Sequence, residues 1–285
     1  MYESFYGLRE RPFELTPNPR FLFMTAHHRE ALSTLEYGLS GRTGIALLVG
    51  DAGTGKTTLM HAALQSTSAR QSLTVYLNNP SLNRSEFVEF LAGGFGLSAD
   101  AAKSKTRCLA ELTELLAVRH RSAMMTALII DEAQCLPDAL LEEIRLLANI
   151  ESAAEKLLSI ILAGQPELAD RLNQPSLRQL KQRIGLRCSL PPLTEEQTAA
   201  YIAQRVRVAG GDVARVFTPD AVHTIYERSG GIPRTISVIC DNSLVTGFAV
   251  DRRPVDRTVV LEVCRDFDFV EPHSAVPADG TGLSV

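Results

Sequence analysis

The chain has 285 residues, 45% of them hydrophobic, with 29 basic against 33 acidic side chains and a formal net charge of −4. That length and apolar content suffice for one large core or two modest ones. The balanced charge gives no overall field that would draw the molecule to nucleic acid or an anionic membrane, so such a partner would have to meet a local patch. No window reaches 18 consecutive apolar residues, and "MYESFYGLRERPFEL" has neither the order of a signal peptide nor the Arg/Ser bias of a transit peptide. This reads as a cytoplasmic chain without an integral membrane segment. The cysteines, Cys108, Cys135, Cys188, Cys240 and Cys264, are far apart and form no CxxC pair, which reads as reduced structural thiols rather than zinc ligands or disulfides.

Residues 1–43 differ in character from the rest of the chain. "PFELTPNPRFLF" carries three prolines and predicts an extended segment lying across the main domain, and "AHHREALSTLEYGLSG" predicts a helix ending at Gly38 or Gly41. From 44 to 193, short apolar runs alternate with amphipathic stretches. The runs "GIALLVG" (44–50), "LTVYLNN" (73–79), "ALIIDEA" (127–133), "LLSIILAG" (157–164) and "LRCSLPPL" (186–193) read as buried strands, and 56–69, 84–95, 106–120 and 138–150 as helices. Continuous apolar strands separated by helices predict an α/β domain, a parallel sheet covered on both faces.

The first strand leads into "GDAGTGKTT", residues 50–58, which fits G-x-x-x-x-G-K-[ST] between a strand and a helix. Gly50, Gly53 and Gly55, with Asp51, Ala52 and Thr54 between them, would let the backbone curl so that successive N–H groups and the helix start at Thr57 and Thr58 face a phosphate chain. Lys56 would reach the β- and γ-phosphates, and the Thr57 hydroxyl would ligate Mg²⁺. Asn78 and Asn79 close the second strand as turn residues or as polar groups near a nucleotide. The third strand delivers Asp131 to the sheet edge to hold Mg²⁺ with Thr57, and the adjacent Glu132 is placed to orient or deprotonate an attacking water. The fourth ends in Gln165, read either as a group near the γ-phosphate or as a loop-bonding amide. Before the fifth, "SLRQLKQRIGLR" concentrates Arg178, Lys181, Arg183 and Arg187. The run is either a solvated basic face or the source of an arginine that reaches a neighbouring subunit's nucleotide, Arg183 ahead of Arg178. Glu151, at a helix end, is a solvated acid or faces such a neighbour.

After Pro191 and Pro192 the strands stop, and residues 194–269 read as an all-helical domain. "TEEQTAAYIAQRVRVAG" opens with a Thr-x-x-Gln capping box, and "TPDAVHTIYERSGG" opens with Thr218 as cap and Pro219 at the first helical position. In "SGGIPRTIS", Gly230 and Gly231 turn the chain and Pro233 starts the next helix, which sets Arg234 at a helix N-terminus. A cation there opposes the helix dipole by about 0.3–1 kcal/mol, a cost that a nearby phosphate would offset. Residues 270–285 read as a disordered tail.

The series "GDAGTGKTT", "LIIDEAQ", "ILAGQPEL", "LRQLKQRI" and "SGGIPR", with a helical domain behind it, resembles the AAA+ ATPases. More narrowly, "FYGLRERPFELTPNPRFLF", "HREAL", "RLLANIES", "AGQPEL" and "GGIPRTISVICDNSL" resemble the ExeA-type ATPases of the general (type II) secretion pathway, over residues 1 to about 268. The resemblance implies a P-loop αβα sandwich followed by a helical lid, with Mg-ATP bound between them and hydrolysed. It puts the Walker A lysine and threonine on Lys56 and Thr57, the Walker B pair on Asp131 and Glu132, and sensor 1 on Gln165. The trans-acting arginine falls on Arg183 and sensor 2 on Arg234. "TPNPRFLF" and His28 fall in the region around the adenine. It also implies a homo-oligomer, ring or helical filament, in which Arg183 completes a neighbour's site. Secretion-pathway members carry a membrane segment and a peptidoglycan-binding domain besides the ATPase. Neither is found in these residues, so what carries over is a cytoplasmic protein or one held peripherally at an inner-membrane assembly. Related modules serve pilus assembly, exopolysaccharide export and DNA transposition, so duplex DNA is the alternative partner, a slow nucleotide-gated switch the alternative activity, and the client protein is open.

Overall fold

The computed structural model describes residues 1–15, 19–39, 44–65, 73–78, 81–151 and 155–268. The expected tail, Asn79 and the residues 16–18 of "TPNP" lie outside them. In chain order the elements are α1 (Tyr2–Tyr6), α2 (Ala26–Leu39), β1 (Ile45–Gly50), α3 (Lys56–Gln65), β2 (Leu73–Leu77), α4 (Arg84–Gly94), α5 (Lys105–Arg121), β3 (Thr126–Ile130) and α6 (Asp138–Leu147). There follow β4 (Ser159–Gly164), α7 (Pro166–Leu172), α8 (Arg178–Lys181), β5 (Ile184–Leu190), α9 (Glu195–Val208), α10 (Val213–Val216), α11 (Pro219–Ser229), α12 (Pro233–Ala249) and α13 (Arg257–Asp266). They fall into two compact units, one of residues Met24–Pro192 and one that joins Met1–Phe23 to the chain from Leu193 onward.

In the first unit the five strands form one parallel sheet in the order β2-β3-β4-β1-β5. Alternation along each strand sends its side chains to two layers. Ile45, Leu47 and Val49 of β1, Leu128 and Ile130 of β3, and Ile160 and Leu162 of β4 join one core with Phe87, Leu91, Leu112, Leu116, Leu140 and Ile144 from α4, α5 and α6. Ala46, Leu48, Ala127, Ile129, Ile161 and Ala163 meet Ala31, Leu35 and Leu39 of α2 and Leu59, Met60 and Ala63 of α3 on the other face. Burial on both sides explains why these strands read as continuous apolar runs. Each large aliphatic side chain so buried contributes roughly 1.5–3 kcal/mol. This is the α/β P-loop sandwich expected.

The second unit is helical, and the caps read from sequence hold its helices. The Thr194 hydroxyl accepts from Gln197 N while the Gln197 side chain accepts from Thr194 N, and Thr218 caps α11 through Ala221 N. Leu193 N donates to Gly231 O at 2.8 Å, which ties the turn before α12 to the start of the unit.

The first 43 residues do not fall within a single unit. Residues 1–23 share the core of the helical unit, where Tyr2, Tyr6, Leu8, Phe13 and Phe21 are buried with Tyr201, Ile202, Phe217, Ile236 and Val260. Their aromatic side chains supply large apolar faces to that core. The Arg205 guanidinium lies over Phe21 and Tyr201, 5.4 and 5.1 Å from the ring centres, and donates to Pro12 O at 2.8 Å. Gln204 Nε2 donates to Leu22 O at 3.0 Å, and Tyr6 donates to Arg252 O at 3.0 Å. Of the first 43 residues, those from Met24 onward, α2 among them, belong to the sheet unit.

Candidate nucleotide-binding site

The order of the sheet decides which loops meet. β3, β4 and β1 are neighbours, with Val49 paired to Gly164 and Ile130 to Leu162. The loops leaving their C-terminal ends therefore bring Gly50–Thr57, Asp131–Gln134 and Gln165 to one edge. In open parallel sheets that edge is where ligands gather.

At β1 the chain turns through residues 51–55 into α3. Gly55 has φ of +100°, a conformation side-chain-bearing residues rarely adopt, and a Cβ on Gly50 would come within 2.7 Å of Leu190 O. The turn is pinned by the Thr54 hydroxyl donating to Asp51 O at 2.9 Å, with Thr54 itself buried. His28 backs it from α2. The Thr25 hydroxyl lies 2.7 Å from His28 Nδ1 and can donate to it, which leaves Nε2–H to face Thr54 O at 3.4 Å. Burial lowers the His28 pKa from its ordinary value, which favours the neutral ring. His28 thus supports the back of the phosphate loop.

Lys56 is 4% exposed and donates from Nζ to Gly50 O at 2.8 Å and Asp51 O at 3.0 Å. Burial lowers its pKa, opposed by Glu132, Asp131 and Asp51. An ammonium so buried, bound by carbonyls at a helix N-terminus, fits a polyanion, whose charge would offset the desolvation that the loop alone leaves uncompensated. The Thr57 hydroxyl donates to Asp131 Oδ2 at 2.7 Å. Donating toward Asp131 turns the Thr57 lone pairs outward, and the pair offers hard oxygen donors that suit Mg²⁺. Among the described residues no group of three or more His, Cys, Asp or Glu side chains could cage a metal. A cation here would draw its remaining ligands from water and phosphate, as Mg²⁺ commonly does.

Asp131 is buried, with Oδ1 accepting from Glu132 N at 2.9 Å and Oδ2 accepting from Tyr76 as well as Thr57. Glu132 sits in the left-handed region with φ of 52°, a strained conformation for a residue with a side chain. Its Oε2 accepts from the side-chain amides of Gln134 and of Gln165, the latter at 3.3 Å, and Gln134 Oε1 in turn accepts from Gln165 N at 3.1 Å. Gln165 therefore points at Glu132 rather than capping α7. Arg171 Nη1 donates to Gln134 O at 2.7 Å and its other nitrogen pairs with Asp138, which fixes the loop that carries the network.

Two of these participants were not singled out in the sequence. Gln134, two residues after Glu132 in "DEAQ", offered a signal by position; Tyr76, the phenol inside "LTVYLNN", offered none without the β2–β3 register. Asn78 is exposed. Arg183 lies elsewhere: it precedes β5, whose Ile184 pairs with Ile45 at the start of β1. The length of β1, about 17 Å at roughly 3.3 Å per residue, separates it from its own phosphate loop. It is exposed, as are Arg178, Lys181 and Arg187. Nearby Glu151 is held below its usual carboxylate range, chiefly by its bond with Lys156 and in part by Arg183. Arg234 is exposed in the first turn of α12, in the other unit. Of the cysteines, Cys135 is exposed and the other four are buried.

A parallel sheet whose first strand opens into a lysine-bearing glycine loop, faced by an Asp-Glu pair two strands away, defines the P-loop nucleotide-binding class. A model of the AAA domain family matches residues 40–172. The chain is 41% identical over 249 residues, 87% of its length, to the general secretion pathway protein A of Aeromonas hydrophila. It belongs to the ExeA-type AAA+ ATPases. The chain spans 45% of the length of that relative. Among solved structures it is similar to the Cdc6p of Pyrobaculum aerophilum, TM-score 0.69 at 18% identity, covering 90% of this chain and 70% of that one. A Walker-type ATPase of Pyrococcus abyssi gives 0.60 at 20% identity, covering 90% and 77%. At those identities the likeness concerns the fold. Among the described residues no helix is long and apolar enough to cross a membrane.

Proposed function

We propose that the chain binds Mg-ATP on residues 50–58 and hydrolyses it, and that hydrolysis drives conformational work in secretion or a related cell-envelope assembly. The observation that carries the reading is the convergence on one sheet edge of a buried lysine, the Thr57–Asp131 pair and a carboxylate, Glu132, aimed by two amides. Glu132 would accept the proton of a water set in line with the γ-phosphate, and the Gln134 and Gln165 amides would hold it and that water in place. Lys56 would leave its loop carbonyls for the β- and γ-phosphate oxygens. Mg²⁺, held by Thr57 and Asp131, would supply charge neutralisation between those phosphates. Asp51, Ala52, Gly53, Thr54 and Thr58 would contribute backbone N–H groups or packing around the phosphates. Arg234, at a helix start that favours an anionic partner, is proposed as a nucleotide-sensing arginine.

Arg183 stands too far from its own loop to serve there, which supports a role toward a neighbouring copy in a ring or filament. The 41% identity to a general secretion pathway protein supports the secretion assignment. The test is a set of variants followed by thermal shift and phosphate release. Mg-ATP at about 100 times its dissociation constant should stabilise the wild type by about 2.7 kcal/mol, several degrees for a chain of this size. Lys56→Ala should lose that rise, Glu132→Gln should keep it and lose turnover, and Arg234→Ala should keep binding while turnover falls. A Lys56→Ala protein that still hydrolyses ATP would overturn the site.

A further inference from the structure

Asp131 carries more than its pairing with Thr57 requires. Its Oδ2 takes a second hydroxyl, from Tyr76 at 3.0 Å, while Oδ1 takes Glu132 N. Tyr76 lies on β2, outside the phosphate loop and the Asp-Glu pair, in register with Ile129 of β3. Its ring is stacked on that of His61, with centres 5.4 Å apart and planes 14° from parallel. His61 lies on α3, one turn beyond Thr57. The loop is closed: α3 carries both Thr57 and the ring that holds Tyr76, and both hydroxyls end on the same oxygen of Asp131.

We infer that Tyr76, braced by His61, is a positioning residue for the magnesium site, fixing the Asp131 carboxylate so that Thr57 presents its lone pairs to the cation. A carboxylate held only by Thr57 and a backbone N–H could turn about its terminal torsion, which is broad for Asp. The Tyr76 hydroxyl, from β2, adds a second hydrogen bond to the oxygen that Thr57 holds. Groups that orient a metal-binding carboxylate typically matter about ten- to a hundredfold in metal affinity.

The inference rests on the loop binding Mg-nucleotide, and the experiment separates the two. A fluorescent, non-hydrolysable ATP analogue is titrated against wild type, Tyr76→Phe and His61→Ala, first in EDTA and then at fixed analogue with rising Mg²⁺. Tyr76→Phe keeps the stacked ring and removes one oxygen, so its EDTA affinity should match wild type and its melting temperature fall by only a few degrees for the one lost hydrogen bond, while its Mg²⁺ midpoint rises about tenfold. His61→Ala, which loosens the same phenol, should shift the midpoint in the same direction by less. A midpoint within about twofold of wild type in both variants overturns the assignment, as does an equal loss with and without Mg²⁺, which would make Tyr76 a support of the loop as a whole. A wild type whose analogue affinity ignores Mg²⁺ overturns the parent reading instead.

Discussion

At the scale of single residues, the legible part of the site was the part whose chemistry demands fixed types at fixed spacing. Lys56 and Thr57 follow a glycine loop because a phosphate chain needs backbone N–H groups, an ammonium and a hydroxyl within one turn, and Asp131 and Glu132 follow an apolar run because a strand has to deliver them. Gln134 and Tyr76 obey no such local rule, since their value comes from partners on other strands. Gln134 shows how much was hidden: one amide donates to Glu132 and accepts from Gln165 N, joining the acid to the end of β4. Replacing Gln134 by Ala removes both bonds but leaves the phosphate loop untouched. Turnover should fall about ten- to a hundredfold, since misplacing a reacting group by an ångström has that cost, with KM changed by less than about twofold. Steady-state kinetics with a pH profile check it; a rise in KM at unchanged kcat would assign Gln134 to binding instead.

Whole elements were legible where burial is two-sided. β1, β3 and β4 are buried along their entire length and coincide with apolar runs to within three residues at either end. β5, by contrast, begins at Ile184 rather than 186 because an edge strand alternates buried with exposed positions, and Arg187 and Ser189 obscured its apolar face. The five-residue helix α1 and the four-residue α10 carry too few turns for a period to show. Links between helices were equally hidden. His223 on α11 sits 2.6 Å from Glu195 at the start of α9 and 3.3 Å from Glu227, and those carboxylates raise its pKa, the Glu195 hydrogen bond foremost. A raised folded value means the link contributes fully below the ordinary imidazole pKa and is lost as pH rises through the raised one. The pair is solvent-exposed and screened, so the effect is small. The melting temperature of His223→Gln should fall below wild type at pH 5.5–6 and match it at about pH 9; a gap that widens with pH would reverse the assignment.

For the whole molecule, two facts depended on contacts across long stretches of chain. The first is the union of residues 1–23 with the helical unit, formed by partners such as Tyr6 with Arg252 and Pro12 with Arg205, close to 200 positions or more apart. The second is the place of Arg183 at the far end of β1 from its own phosphate loop, a distance in keeping with the proposed role toward a neighbouring copy. That arrangement has an arithmetic consequence. In Arg183→Ala protein every active site keeps Glu132 but faces an empty position, and in Glu132→Gln protein every site lacks its base but lends its arginine. Each should be inactive alone. Mixed, a productive interface needs an Arg183→Ala subunit to supply the nucleotide site and a Glu132→Gln subunit to supply the arginine. In a head-to-tail assembly that exchanges subunits at random, this occurs with probability x(1−x) at mixing fraction x, so equal mixing should restore about a quarter of the wild-type rate per subunit. Activity plotted against x should trace a parabola with its maximum at equal mixing. An arginine acting within its own subunit would instead leave the mixture inactive at every ratio, because neither parent then holds a complete site. Phosphate release at saturating protein concentration, where assembly is complete, distinguishes the two.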